Sequence, residues 1–172
     1  MEEKKYPAIE DAIVFASLKH AGQKRKDGSP YIYHPLHVAE MLKNSGYGIN
    51  YQIAGILHDV LEDTDATEQE VAVFGDDVLN AVRLVTRPDG MDELLYVDNI
   101  LKDPIATAVK NADKIHNLQE AVFSGPMDGK SKKACRFARM YVKKADKYYR
   151  GKFSQLLDDL IDECLKTVSP RV

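Results

Sequence analysis

Cysteine is nearly absent from the sequence: Cys135 and Cys164 are the only two, far apart and without CxxC or zinc-ribbon spacing. That leaves no basis for a disulfide framework, and the simplest expectation is reduced thiols in a cytoplasmic protein. Long apolar runs are missing as well. No stretch approaches a membrane span, and Met1-Glu2-Glu3-Lys4-Lys5 leads into an amphipathic segment, so neither a signal peptide nor an anchor is expected. A dominant charge is also lacking, because 24 Lys and Arg stand against 27 Asp and Glu. This balance gives no reason to expect a nucleic-acid-coating protein, and a small ligand is the expected partner. There is no internal repeat and no low-complexity tract.

What is present is a chain of 172 residues, 44% hydrophobic and 30% charged, which suits one globular domain spanning residues 1–172. Apolar residues recur at helical spacing: Ile9, Ile13 and Phe15 to Leu18, then Val38, Met41 and Leu42, then Ile53, Ile56 and Leu57. The fold class read from this pattern is all-α. Boundary signals agree, with Pro35 in a first helical turn, Asn50 as a cap, Thr67 and Glu70 at capping-box spacing, and Asp103-Pro104 opening a later helix. That later helix carries a stripe of Ile105, Ala108, Val109, Ala112 and Ile115, with Asp113 at its edge, where a carboxylate needs a partner. Clusters of Gly, Pro and Asp mark loops at 22–33, 86–91 and 124–131.

Four side chains then stand out as a candidate metal site: His34, the adjacent His58 and Asp59, and Asp113. Imidazole with carboxylate suits Mn, Fe or Zn. Four protein ligands leave positions for water and substrate around an octahedral ion, and such an ion acidifies water and polarises phosphoryl oxygen, so phosphate-ester or anhydride hydrolysis follows. Glu62 and Asp63 lie four residues beyond His58 and Asp59, one turn further along, as a second carboxylate layer able to orient or deprotonate the attacking water. The bland alternative is a helix end in solvent. His20 and His37 read as structural or surface histidines, since an isolated histidine rarely binds metal.

One local charge bias remains, from Lys130 to Lys152, where ten basic residues face the single acid Asp146. It reads chiefly as a solvated helix face beside a final amphipathic helix holding Phe153, Leu156, Leu157, Leu160 and Ile161, with a phosphate-attracting face as the alternative.

Four segments resemble the HD-domain phosphohydrolases, and within them the (p)ppGpp hydrolase domain of the RelA/SpoT family, especially small stand-alone alarmone hydrolases. They are Gly22-Gln23-Lys24-Arg25-Lys26 with Gly28 to Pro35; Leu57 to Thr64; Phe74-Gly75 with Val78 and Val85-Thr86; and Lys110 to Leu118. The resemblance implies an HD-domain helical bundle with one Mn ion on His34, His58, Asp59 and Asp113, with Fe or Zn as alternatives. It also implies removal of the 3′-pyrophosphate from guanosine bis(diphosphate), with Glu62 and Asp63 catalytic. By the same carry-over Arg25 stacks on guanine, Lys26 and Ser29 lie near ribose or phosphates, Asn117 binds the nucleoside end, and Arg136 contacts substrate. Arg25 and Lys26 fit these roles chemically, because a guanidinium plane suits a purine face and an ammonium suits a diphosphate.

The chain departs from the family at Gln119, where Arg is frequent, and at Glu120, where a small hydroxyl residue is common. These departures bear on which nucleotide is preferred and leave the metal chemistry intact. Two rivals stay open: an HD-type nucleotidase releasing orthophosphate, and a nonenzymatic nucleotide sensor that keeps a metal for stability. The partner in every case is a small phosphorylated nucleotide, a guanine nucleotide on the first reading, with no nucleic acid and no membrane; self-association is left open.

Overall fold

Side-chain caps at Thr67, Asp92 and Asp103 open three of the helices in the computed structural model, which describes residues 8–123 and Asp159. Among the described residues the helices are α1 (Ile9–Lys19), α2 (Tyr33–Asn44), α3 (Ile49–Leu57), α4 (Val60–Asp63), α5 (Glu68–Ala72), α6 (Asp76–Val85), α7 (Glu93–Ile100) and α8 (Pro104–Phe123). The all-α expectation holds: the described residues form no strand, only an isolated bridge between Lys24 and Pro30.

The Thr67 hydroxyl accepts from the Glu70 amide while the Glu70 carboxylate accepts from the Thr67 amide, the expected capping box. Asp103 accepts from the Ala106 amide at 2.7 Å, so Asp103-Pro104 opens α8 as expected. Asn50, expected as a cap, instead lies inside α3, whose N-cap is Gly48. Extended backbone at Gly48 starts the helix two residues earlier than the polar side chain suggested. At the N-cap of α6, Gly75 has φ 120, a conformation reserved for glycine.

Cα packing divides the chain into two compact units, Met1–Val109 and Lys110–Val172. In the first, Val38 and Leu42 of α2 pack with Ile53, Ile56 and Leu57 of α3, and Val78 and Val82 of α6 complete the buried layer. Gly55 is what lets α2 and α3 approach so closely: a Cβ there would meet Leu42 Cδ1 at 2.8 Å and the Ala39 Cα at 3.4 Å. The start of α1 is held by Asp11, which accepts from the Ala8 amide. Its far end is fixed by Lys19, which pairs with Asp65 at 3.1 Å and Glu70 at 3.0 Å. Phe15 meets Phe74 at 5.6 Å between ring centres.

Along α8 the expected stripe of Ile105, Ala108, Val109, Ala112 and Ile115 is buried. No helix among the described residues is long and apolar enough to cross a membrane. The basic stretch 130–152, the final amphipathic segment, the 124–131 loop and Arg136 lie outside the described residues.

Candidate metal centre

The site starts from two helices and a break between helices. His34 sits in the first turn of α2, just before Pro35, and is buried. His58 caps the C-terminus of α3 and Asp59 precedes α4, with Asp59 at φ -103 and ψ -4. The one-turn spacing from His58 and Asp59 to Glu62 and Asp63 suggests an uninterrupted helix, whereas the pair lies at the α3–α4 junction. The difference matters, since consecutive residues in an unbroken α-helix point about 100° apart. The near-zero ψ at Asp59 lies in the bridge region, where active-site residues often sit, and His58 Nε2 comes within 3.0 Å of Asp59 Oδ2.

His34 Nε2 lies 3.5 Å from the same Asp59 oxygen, and the two imidazole rings meet edge to face at 5.1 Å. One donor atom from each of His34, His58 and Asp59 lies within 4.8 Å of the others, which is the size of a cluster that can surround one cation. The donor chemistry fits a divalent ion. His58 Nδ1 is 2.8 Å from the Gly55 carbonyl, an acceptor, so Nδ1 carries the hydrogen. In the neutral ring Nε2 then presents a lone pair toward a carboxylate oxygen. Two lone pairs at that separation repel unless positive charge lies between or beside them, and a backbone carbonyl on the remote nitrogen is the usual support of a metal-binding imidazole. The two nitrogens and one oxygen suit Mn, Fe or Zn.

Asp113 lies on α8 in the second unit and is buried, with 5% of its surface exposed. Its carboxylate has the partners its position demands: Asn117 Nδ2 donates to Oδ1 at 2.5 Å, and the Lys114 and Lys110 ammonium groups stand 3.3 Å and 3.5 Å from Oδ2. Asn117, expected at the nucleoside end, thus orients an expected metal ligand through the i, i+4 spacing of one helical turn.

The expected acids Glu62 and Asp63 occupy the short α4 and are exposed. Asp63 is held in place twice, by Gln23 Nε2 donating to its backbone carbonyl at 2.7 Å and by the Tyr31 hydroxyl 3.2 Å from its Oδ2. In the loop before α2, Arg25 and Ser29 face each other across a turn, with the Arg25 amide donating to the Ser29 carbonyl at 2.8 Å. The Ser29 hydroxyl donates to Asp27 at 2.7 Å, and this bond with the Ser29 amide holds the Asp27 carboxyl below its ordinary value. Ser29 therefore shapes its own loop. Lys26 is exposed at the tip, and the Arg25 guanidinium lies 5.6 Å from the centre of the Tyr31 ring.

Tyr31 is the residue sequence reasoning missed. Its hydroxyl is 2.7 Å from Asp59 Oδ2, and its ring touches those of His20 at 4.8 Å and His34 at 5.9 Å. Burial above all, then the neighbouring Asp59 charge, pushes the phenol far above its usual value, so it stays a donor. The available signal was its position three residues before His34, one turn away. His20 and His37 stand outside the cluster, as expected; His20 Nδ1 meets Gln23 Oε1 at 2.8 Å and His37 faces Glu40 at 3.8 Å.

Among the described residues the fold is all-helical and brings two histidines and an aspartate into a cluster able to hold a divalent cation. The chain belongs to the HD domain family, whose description matches residues 12–141 of the 172. It is 49% identical over 123 residues to a guanosine-3′,5′-bis(diphosphate) 3′-pyrophosphohydrolase of Aquifex aeolicus, covering 64% of this chain and 17% of that protein. A probable GTP pyrophosphokinase of Mycobacterium leprae is 34% identical over 128 residues, covering 69% of this chain and 16% of that protein. The chain thus spans less than a fifth of the length of these curated relatives. A solved structure described as a metazoan ortholog of SpoT that hydrolyzes ppGpp superposes with a TM-score of 0.73 at 27% identity, covering 94% of this chain and 97% of that one.

Proposed function

We propose that this chain, as one hydrolase domain over residues 1–172, removes the 3′-pyrophosphate from guanosine bis(diphosphate) to leave GDP and pyrophosphate, with Mn as its metal and the cytoplasm as its place of action. The observation that carries this reading is the convergence of His34, His58 and Asp59 within 4.8 Å, with Asp63 tied by Tyr31 to Asp59. The relatives described as ppGpp hydrolases support the choice of substrate.

His34, His58 and Asp59, with Asp113 as the fourth ligand, would hold the ion. A bound divalent ion supplies Lewis-acid polarisation of the phosphoryl oxygen and a more acidic water. The chain's own residues do the rest. Asp63, oriented through its carbonyl and its carboxylate, positions the attacking water. Glu62, exposed on the same short helix, accepts its proton. Arg25 presents a guanidinium plane to the guanine, while Lys26 and Ser29 lie toward ribose and phosphate on the same loop. Asn117 and Arg136 complete the proposed substrate contacts.

Purified protein with Mn should release pyrophosphate from ppGpp. Orthophosphate alone would instead favour a nucleotidase. No release at all, with metal binding confirmed, would reject the substrate. Glu62→Gln and Asp63→Asn should each abolish turnover while sparing metal and nucleotide affinity, and unchanged turnover would remove their assigned roles.

A further inference from the structure

We propose that Tyr31 is a positioning residue that couples the nucleotide loop to the metal centre, its hydroxyl setting the carboxylates of Asp59 and Asp63 and its ring seating the Arg25 guanidinium. The parts assigned to Asp63 and Arg25 rest on the function proposed above; the part concerning Asp59 stands on geometry alone.

A phenol hydroxyl has one proton to give. At 2.7 Å from Asp59 Oδ2 and 3.2 Å from Asp63 Oδ2, that proton goes to the nearer oxygen while remaining close enough to attract the second. Asp59 belongs to the cluster with His34 and His58, whereas Asp63 is one helical turn further along, and direct approach of the two carboxylates would be repulsive. The hydroxyl is the positive pole that lets them share one corner. It also fixes the Asp59 carboxylate torsion, a broad and poorly determined angle when nothing holds it.

The ring does separate work. It touches His20 and His34 and lies under the Arg25 guanidinium at 5.6 Å, giving a flexible arginine a fixed platform. A second tether runs parallel to the first: His20 meets Gln23, and Gln23 donates to the Asp63 carbonyl. The loop that carries Arg25 therefore grips Asp63 through both its backbone and its side chain. Of the two tethers, Tyr31 is the one that reaches both Asp59 and Arg25, and its two ends can be altered independently.

Substitution separates the ends. Tyr31→Phe keeps the ring and removes the hydroxyl. Its Mn affinity, measured by titration calorimetry on metal-free protein, should fall about tenfold, the lower end of what loss of a partner to a metal ligand costs. The Mn electron-paramagnetic-resonance signal should broaden as Asp59 loses its fixed torsion. With ppGpp, kcat should fall while KM stays within about twofold, because Arg25 keeps its platform. Tyr31→Leu should lose metal affinity to the same extent and in addition raise KM about tenfold, in line with loss of a cation-π contact.

Mn affinity in Tyr31→Phe equal to that of the native protein would overturn the proposal. So would equal KM values in the two variants. The calorimetric arm needs no nucleotide: a native protein that fails to cleave ppGpp counts against the proposed substrate and leaves the Tyr31 test intact. Should Tyr31→Leu fail to fold, the Tyr31→Phe titration decides by itself.

Discussion

Gly55 is where packing and metal chemistry meet, and replacing it tests both. A Cβ at this position would sit 2.8 Å from Leu42 Cδ1, 3.3 Å from Val38 Cγ1 and 3.4 Å from the Ala39 Cα. The Ala39 distance is ordinary contact, so the clash falls on the Leu42 tip and the Val38 methyl, and both side chains are fully buried and must shift within a packed layer. Overpacking of this kind costs about 1–3 kcal/mol. Alanine regains about 1 kcal/mol of helix propensity, which leaves a net destabilisation of about 0–2 kcal/mol for Gly55→Ala. Valine adds two carbons and has little propensity to regain, so Gly55→Val should lose about 3 kcal/mol or more. For a protein of this size each kcal/mol moves the Tm by about 2–4 °C. Thermal unfolding followed by circular dichroism should therefore show at most a shift of about 8 °C for alanine and at least about 6 °C for valine. The site should respond as well, because the Gly55 carbonyl fixes the His58 ring at 2.8 Å and His34 rides on the opposing helix. Mn affinity should fall in the order native, alanine, valine. A valine variant as stable as the native protein would refute the packing argument. A destabilised variant with native Mn affinity would refute the link between the helix contact and the cluster.

Three further outcomes follow from the same structure. Metal at a hundred times its Kd should stabilise the fold by about 2.7 kcal/mol, or about 5–11 °C in Tm; chelation should reverse the shift, and His58→Ala should show none of it. Removing the α5 cap with Thr67→Ala should cost about 1 kcal/mol in denaturant unfolding, with no change in metal affinity. The Thr67 amide above all, and then Lys19, hold the Glu70 carboxyl below its ordinary value of 4.5. A carboxyl depressed in the folded state contributes stability that is present above its unfolded value and lost as pH falls through the folded one. Glu70→Gln should accordingly flatten the acid limb of stability below about pH 4.5. An unchanged limb would show that this exposed cluster contributes nothing measurable.

Helix existence was legible from the sequence because apolar spacing reports the buried stripe directly, as the α8 series from Ile105 to Ile115 shows. Caps were legible where a side chain does the capping, at Thr67 and Asp103. The start of α3 was not, because there the backbone of Gly48 caps without a side-chain hydrogen bond and the neighbouring Asn50 offers a false signal. That His34, His58 and Asp59 would come together was legible from their chemical type, since three such donors flanked by apolar residues are buried most cheaply around one shared charge. Tyr31 escaped because a tyrosine beside an apolar residue reads as packing, and nothing in its type announces two carboxylate partners 28 and 32 residues away.

The junction between α3 and α4 is where the adjacent pair His58-Asp59 brings two donor atoms to one cluster. In an unbroken helix the side chains would diverge by about 100°. Ending α3 at Leu57 and restarting at Val60 lets Asp59 take φ -103 and ψ -4 and bring its carboxylate to His58 Nε2. Asp63, one turn further along, meets the Tyr31 hydroxyl alongside Asp59. Asp59→Glu, which keeps the charge and adds one methylene, should therefore bind metal more weakly than the native protein, because the longer arm overreaches a geometry already set by the backbone. Native Mn affinity in Asp59→Glu would mean that the helix break is incidental and that side-chain reach alone builds the site.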